Sequence, residues 1–407
     1  MSRSLVAAIL LASTAAHADP LSLHDTARPR ERHHMRMALE LGAIFGIGHE
    51  WYWRDNGAPN AVDWQLPHGL RAAGIKLTST NGWRFDGNPY AINAVCHPLF
   101  GTLTTYLARE NGYSLAESFL ISTLASGTWE TFLELREYGS LNDVMMTSPA
   151  GLPLGETAYQ LVHHWREASY DVGAGIGVEN GAGFAETSMH VGVNHVALAA
   201  DVATDAAGVR SVDVAAKTKL GAHVASELDY HDVAARPERE WDKNTMIAIG
   251  PTWEMRTRAV GLDVYVGADA YVDFAMLKSE AFASWRADHP MATLRNVLMD
   301  RPQPYYYGAG VSVDPRVAVS TNGFTLGAKL TGSRTSSLDG HDRDQEIVDT
   351  HLHMTDTDMR GEAWLGYTRD DLSVTLDGRV HRRTGTANEV DAATGERTAV
   401  LAVGYRI

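Results

Sequence analysis

Only one cysteine, Cys96, stands in 407 residues, so no disulfide can form within the chain. A lone thiol of this kind reads as a small buried residue. Basic charge is also scarce: 35 Lys and Arg face 50 Asp and Glu, for a net charge of −15. That balance argues against a nucleic-acid partner, because no basic stripe is there to release counterions from phosphates. No apolar run reaches the roughly 20 residues that a helical membrane span needs. Motifs with an established mechanism are missing too. There is no HExxH or GxSxG, and His49-Glu50 lacks a second His four residues on.

What is present has a direction. The chain is long enough for two domains and a sizeable core. It carries 37 glycines at a slightly polar mean hydropathy, a composition that suits strands exposing only alternate residues to lipid. Arg3, the apolar run Leu5 to Leu11 and Ala16-His17-Ala18 have the layout of a secretory signal, with cleavage expected after Ala18. The expected divisions are a signal peptide at 1–18, a flexible lead-in at 19–35, a small helical domain at 36–166 and a β-barrel at 167–407.

In the helical domain, periodicity predicts a helix over 36–53 and another from Pro98 to about Asn111, with Gly112 as a left-handed stop. Ser114 and Glu117 form a capping box for a third, from Leu115 to about Tyr138. On that helix Glu130, Glu134 and Glu137 fall at i, i+4 and i+7, which places three carboxylates on one face. Carboxylates facing a histidine are what a metal site or an acid–base pair requires, so His97, Glu130 and Glu134 are candidate ligands of a divalent metal. The alternative is a solvated acidic face with Arg109 or Arg136 as counter-charge. No cofactor is otherwise evident. Ser140-Leu141-Asn142-Asp143 reads as a turn leading into a helix, and Asn142 and Asp143 join the catalytic candidates. Pro149, Gly151, Pro153 and Gly155 predict an irregular link before a last helix over 157–166, headed by Glu156.

From Ser169 onward the period becomes two. Leu262, Val264, Val266, Ala268, Ala270, Val272 and Phe274 alternate with Asp263, Tyr265, Gly267, Asp269, Tyr271 and Asp273. Long strands, 185–203 and 209–230 among them, joined by alternately short and long connections, the long ones leaving His231, Ser279, Ser333 and Thr384, predict an antiparallel transmembrane barrel, with ten strands as the first count and twelve as the second. The doubt lies in two breaks of phase, at His195-Val196 and between Met354 and Gly361. A chain end with Leu401, Val403, Tyr405 and Ile407 on one face resembles the closing strand of outer-membrane barrels.

The stretch from about 60 to 165 resembles a bacterial family known as domain of unknown function 3943. Trp83, Asp86, Asn93, His97-Pro98, Gly101, Ala108-Arg109, Gly112, Trp129-Glu130, Glu134, Ser140, Asn142-Asp143, Thr147, Gly151 and Gly155-Glu156 carry the likeness. The resemblance implies an exported protein of Gram-negative bacteria and names no reaction. It makes Asp86, Asn93, Arg109, Trp129 and Glu156 candidate ligand-binding residues.

These readings predict an α+β protein of the Gram-negative outer membrane, with a helical plug inside the barrel or a periplasmic domain below it. Its role would be that of a gated pore, an envelope scaffold or a lipid binder. Asp263, Asp269 and Asp273 would make the lumen acidic and cation-favouring. The expected partners are outer-membrane lipid, lipopolysaccharide and the machinery that inserts barrels. One alternative is a hydrolase acting on an envelope lipid or peptide through His97, Glu130 and Glu134, with Ser122, Ser126 or Ser140 as possible nucleophiles. Another is an interaction protein that binds through the loop 279–301, where Trp285, His289 and Arg295 lie.

Overall fold

The computed structural model describes residues 31–56, 70–85, 90, 92–135, 137–219, 223–231, 243–288, 305–338 and 353–407. The signal segment, most of the lead-in, Asp86, Arg136, His289 and Arg295 lie outside the described residues.

The helical part begins with α1 (His34–Asn56) and α2 (Leu70–Thr78), followed by the short strand β1 (Trp83–Arg84). A π-helical turn, Ile92–Cys96, then leads into α3 (His97–Glu110). Pro98 sits in its first turn and Gly112 closes it in the left-handed region at φ 84, as expected. The predicted capping box is present at the head of α4 (Leu115–Thr128). That helix stops ten residues earlier than predicted, because the chain winds into a π turn over Trp129–Leu133. After β2 (Gly139–Ser140), which pairs in parallel with β1, comes α5 (Leu141–His164). The sequence had predicted an irregular link there. Instead α5 runs through Pro149 and Pro153, held by close packing on α3. At Gly101 a β-carbon would lie 1.7 Å from the Thr147 carbonyl oxygen, and at Gly151 one would lie 2.2 Å from the Gly101 carbonyl carbon. Two helices whose backbones touch in this way compensate each other for what the prolines remove.

The barrel strands are β3 (Ser169–Glu179), β4 (Ala182–Val193), β5 (Val196–Asp205), β6 (Gly208–Lys219), β7 (His223–His231), β8 (Lys243–Gly250), β9 (Thr252–Ala259) and β10 (Leu262–Lys278). Helix α6 (Glu280–Asp288) intervenes before β11 (Tyr305–Thr321), β12 (Phe324–Ser337), β13 (Met354–Arg369), β14 (Leu372–Ala387) and β15 (Val390–Arg406). Neighbours pair antiparallel, β15 pairs with β3, and β10 pairs with β11, so the thirteen-stranded sheet closes on itself. β8 and β9 lie end to end on the same partner, β10, with Pro251 between them, and the Pro251 carbonyl accepts the Ala270 N–H. Counting them as one strand leaves twelve around the barrel, the second of the two expected counts. Two of the ten expected strands, 185–203 and 209–230, are hairpins. The phase break at His195 is a turn, with Asn194 at φ 50. The second suspected break is absent, since β13 pairs without a shift on both sides. The long polar connection expected from Thr384 is also strand, turning only at Asn388-Glu389.

The turns at residues 194–195, 260–261, 322–323 and 370–371 share one rim with Ser169 and Arg406. The turns at 180–181, 206–207 and 388–389 share the other rim with the ends of β7, β10 and β12, where the chain leaves for its longest stretches between strands. In barrels of this kind short turns face the periplasm and long loops face outward.

Ion pairs that skip over intervening strands identify the concave face. Arg379 of β14 reaches Glu186 of β4 at 2.9 Å, and Lys217 of β6 lies 3.5 Å from Asp269 of β10. Arg316 also meets Asp269, at 2.9 Å, and Arg383 meets Asp356 at 2.9 Å. Glu186, Asp269 and Asp356 are thus each matched by a cation, which offsets part of the acidity expected of the lumen from Asp263, Asp269 and Asp273. Asp273 accepts from the Ser312 hydroxyl at 3.0 Å, while Asp263 is exposed at the rim beside Arg258. Alternate residues point outward and are apolar: Leu326, Leu365, Leu376 and Leu401 are exposed on adjoining strands. Phe324, Tyr367 and Tyr405 stand at their short-turn ends, an aromatic girdle at one edge of the apolar band.

Two packing clusters lie on opposite sides of this wall. Inside, α6 places Ala281, Phe282 and Trp285 against Leu277, Tyr306, Met354 and Ala387. The loop proposed as a surface binder therefore begins with a helix that folds back over the lumen. Outside, Phe85, Tyr90, Ala94, Met146 and Ala150 of the helical domain pack on Ile247, Met276, Tyr305 and Tyr307, which alternate with the lumen-facing residues. Helix α5 follows the same outer wall along β5, β6 and β7. The expected plug is corrected here: the helical domain stands against the outside of the barrel, because among the described residues its buried apolar side chains pack on the outward register.

Candidate functional site

Polar side chains in the helical domain gather at two ends. At the long-loop end, Lys76 of α2 is buried and donates to the carbonyl oxygens of Glu130 and Glu134. Burial pushes its ammonium pKa down, against the opposing charges of Glu130, Glu134 and Glu137. The Glu130 carboxylate, itself buried, accepts the Ser140 N–H at 2.8 Å, and the Glu134 carboxylate accepts Trp129 Nε1–H at 2.8 Å. Ser140 caps α5, receiving the Asp143 N–H at 3.2 Å and donating its hydroxyl to Asn142 Oδ1 at 2.9 Å. Asn142 Nδ2 in turn donates to Asp143 Oδ1 at 2.8 Å. His97 Nε2 lies 3.3 Å from that same oxygen, and its Nδ1 lies 3.4 Å from the Thr147 hydroxyl.

This cluster unites six expected residues, His97, Trp129, Glu130, Glu134, Asn142 and Asp143, though not in the expected roles. The π turn after α4 takes Glu130 and Glu134 off a common helical face, so each has its own partner. Among the described residues no group of three His, Cys, Asp or Glu side chains is placed to hold a metal ion. The set His97, Glu130 and Glu134 is therefore not assembled as ligands. Cys96, expected to be buried, is exposed beside the cluster.

At the short-turn end, Glu156 is completely buried in α5. Its carboxylate accepts from Arg109 Nε at 2.7 Å and from Gln160 Nε2 at 2.6 Å, and His195 Nε2 lies 2.9 Å away. Gln160 Oε1 accepts from Asn194 Nδ2 at 2.7 Å. The guanidinium of Arg109 also lies over the Tyr159 ring, 4.6 Å from its centroid. Arg109, one of the counter-charges considered for the Glu130 face, serves Glu156 instead. This node bolts α5 to the β4–β5 turn.

Also toward the long-loop end, Asn93 is fully buried and donates to the hydroxyls of Tyr305 at 3.1 Å and Tyr307 at 2.7 Å. Tyr90 shares a hydrogen bond with Thr245 at 2.8 Å. Asn93, Arg109 and Glu156 thus act as contacts within and between the domains. Lys76, His195, Tyr305 and Tyr307 were not among the predicted residues. His195 had shown itself only as a break of phase, and the tyrosines only as an uninterrupted run, Tyr305-Tyr306-Tyr307.

Residues 82–183 match the family described as Domain of unknown function (DUF3943). The match bears out the resemblance read from the sequence, although it starts later than residue 60 and runs on through β3 into β4. No curated protein matches the chain. Among solved structures, a KdgM porin is 10% identical over 58% of this chain and 98% of its own, at a TM-score of 0.28. OccK8 (OprE) of Pseudomonas aeruginosa is 8% identical over 56% of this chain and 72% of its own, at 0.19. The outer membrane phospholipase A of Escherichia coli is 7% identical over 59% and 90%, at 0.22. Likenesses this faint carry nothing about position or activity. Strand number, closure of the antiparallel sheet and the outward apolar band make the chain a β-barrel of the outer-membrane type.

Proposed function

We propose that this protein resides in the Gram-negative outer membrane, keeps its lumen closed, and works through the helical domain on its outer wall as a lipid-contacting envelope component. Outer-membrane lipid and lipopolysaccharide are its partners in this reading, and the barrel-assembly machinery inserts it. The supporting observation is the register of the docking surface. Met276, Tyr305 and Tyr307 touch the helices, while their neighbours Ala275, Leu277 and Tyr306 line the lumen under α6. A domain so placed cannot gate the lumen by leaving it, and the lumen is crossed by its own ion pairs. The intact protein in a planar bilayer is expected to show no steady conductance above leak. A stable open current would overturn the closed lumen.

The position of His97 favours a second reading, a hydrolase of ester-linked envelope lipid. An imidazole between a hydroxyl, Thr147, and a carboxylate, Asp143, has the order of nucleophile, base and orienting acid. Thr147 is fully buried, so this reading requires the hydroxyl to be uncovered. It predicts fatty-acid release from phospholipid vesicles holding the protein, abolished by His97→Ala. Release that is unchanged in that variant, or absent from the unaltered protein, removes the reading.

A further inference from the structure

The helical domain is built with its polar side inward. Thr104, Ser118, Ser122, Ser126 and Ser148 are buried where α3, α4 and α5 meet, and the hydroxyls of Thr104 and Ser122 share a hydrogen bond of 2.8 Å. Leu99, Leu120 and Leu124 point away from the protein with 56, 56 and 60% of their surface exposed. In water this arrangement is the wrong way round, since each large apolar side chain forgoes its burial. In lipid it is the favourable one: small and hydroxylated residues join the helices, and leucines face the solvent.

Position agrees with composition. On β10 and β11 the outward residues Met276 and Tyr307 are covered by the helices, while Val272 and Val311, further along the same faces, are 64 and 58% exposed. The leucine surface therefore stands on the same outer side of the wall as the apolar band of the barrel. Helix α5 reaches from the Asn194-His195 turn on one rim to the neighbourhood of Tyr305 near the other. Its 24 residues span roughly 36 Å at the α-helical rise, enough for a hydrocarbon core of about 30 Å. No described helix is by itself long and apolar enough to cross a membrane. Here α3, α4 and the barrel wall cover the polar side chains of α5, so the cluster presents an apolar surface that no single helix has.

We propose that the outer face of α3 and α4 is a lipid-contacting surface whose partner is the acyl chains of the bilayer that the barrel spans. This deepens the functional reading above and rests on the barrel being membrane-spanning. The occupant is lipid because the surface shares the outer side of the wall with the barrel's apolar band and carries no charge at its centre.

The test is spin-label accessibility in the full-length chain, refolded into phosphatidylcholine–phosphatidylglycerol vesicles. Single labels are placed at L99C, L120C and L124C in a C96S background, with L401C on the barrel band and N322C on a short turn as references. Labels at 99, 120 and 124 are expected to match 401, colliding several-fold more with oxygen than with a water-soluble nickel chelate. A match to 322 instead places the helices in water and overturns the proposal. Exclusion of both reagents shows a second copy or another protein on this face and overturns it as well. If the label at 401 itself behaves like 322, the membrane reading of the barrel fails together with it, so the two failures are distinguishable. Using three positions keeps the test meaningful if one variant does not fold.

Discussion

Gly101→Ala is expected to separate α3 from α5. The added β-carbon would stand 1.7 Å from the Thr147 carbonyl oxygen and 2.6 Å from its carbon, and both are backbone atoms that no rotamer change can move. Overpacking of a close interface costs about 1–3 kcal/mol when side chains can yield, and more when they cannot. The expected loss is therefore at or above about 3 kcal/mol in the stability of the helical domain, with the barrel intact. The measurement is denaturant unfolding in detergent micelles, followed at the helical circular-dichroism band beside the strand signal. Gly127→Ala on α4 is the matched comparison, because a β-carbon there meets nothing within 4 Å. It should leave stability unchanged or raise it, by up to about 1 kcal/mol, from helix propensity alone. Equal effects of the two substitutions would mean that α3 and α5 do not touch as described.

The second large effect is expected at Glu156. It is fully buried, and replacing it with Gln removes the charge while nearly keeping the shape. Arg109 then remains in the interior without its counter-ion. Breaking a buried pair on one side costs about 3–5 kcal/mol, much of it from the stranded partner. The helical domain of Glu156→Gln should therefore unfold at markedly lower denaturant, and protease should cut α5 near Gln160 in detergent conditions where the unaltered chain resists. Replacing both partners, Arg109→Met with Glu156→Leu, should recover most of the loss, since a packed apolar pair leaves no charge uncompensated. Failure of the double variant to recover would point to His195 and Gln160 as the groups that need the carboxylate.

Much of the barrel was legible because period-two patterning and tight turns are local signals. Asn180-Gly181 and Asn322-Gly323, both with positive φ at each position, mark hairpins that the sequence announces. Asn194-His195 makes a turn without a glycine, which is why a hairpin passed for one long strand with a flaw. The capping box at Ser114 and the stop at Gly112 were equally local and were read correctly. Helix α5 was not, because Pro149 and Pro153 look like the end of a helix unless the contact of Gly101 with Gly151 is known. The side of the wall on which the helices dock was hidden for a deeper reason. Alternation tells which residues share a face, and Tyr305 and Tyr307 suit a lumen or a lipid boundary equally well. Within the site, Arg109 and Glu156 were both singled out, but their union joins residues 47 apart with a third partner from the barrel. No spacing rule reaches that far.

The helical domain precedes the barrel in the chain, yet the wall it leans on is made by β4 to β8 together with β10 and β11. Biogenesis must follow from that order. Residues before Ser169 are made first and have no completed seat until Tyr305 and Tyr307 have entered the sheet. During that interval Phe85, Tyr90 and Met146 have no wall to pack against. Closure itself occurs elsewhere, where β15 meets β3. The last hairpin can therefore zip shut without disturbing helices already seated, and insertion and docking become separable steps of one assembly line.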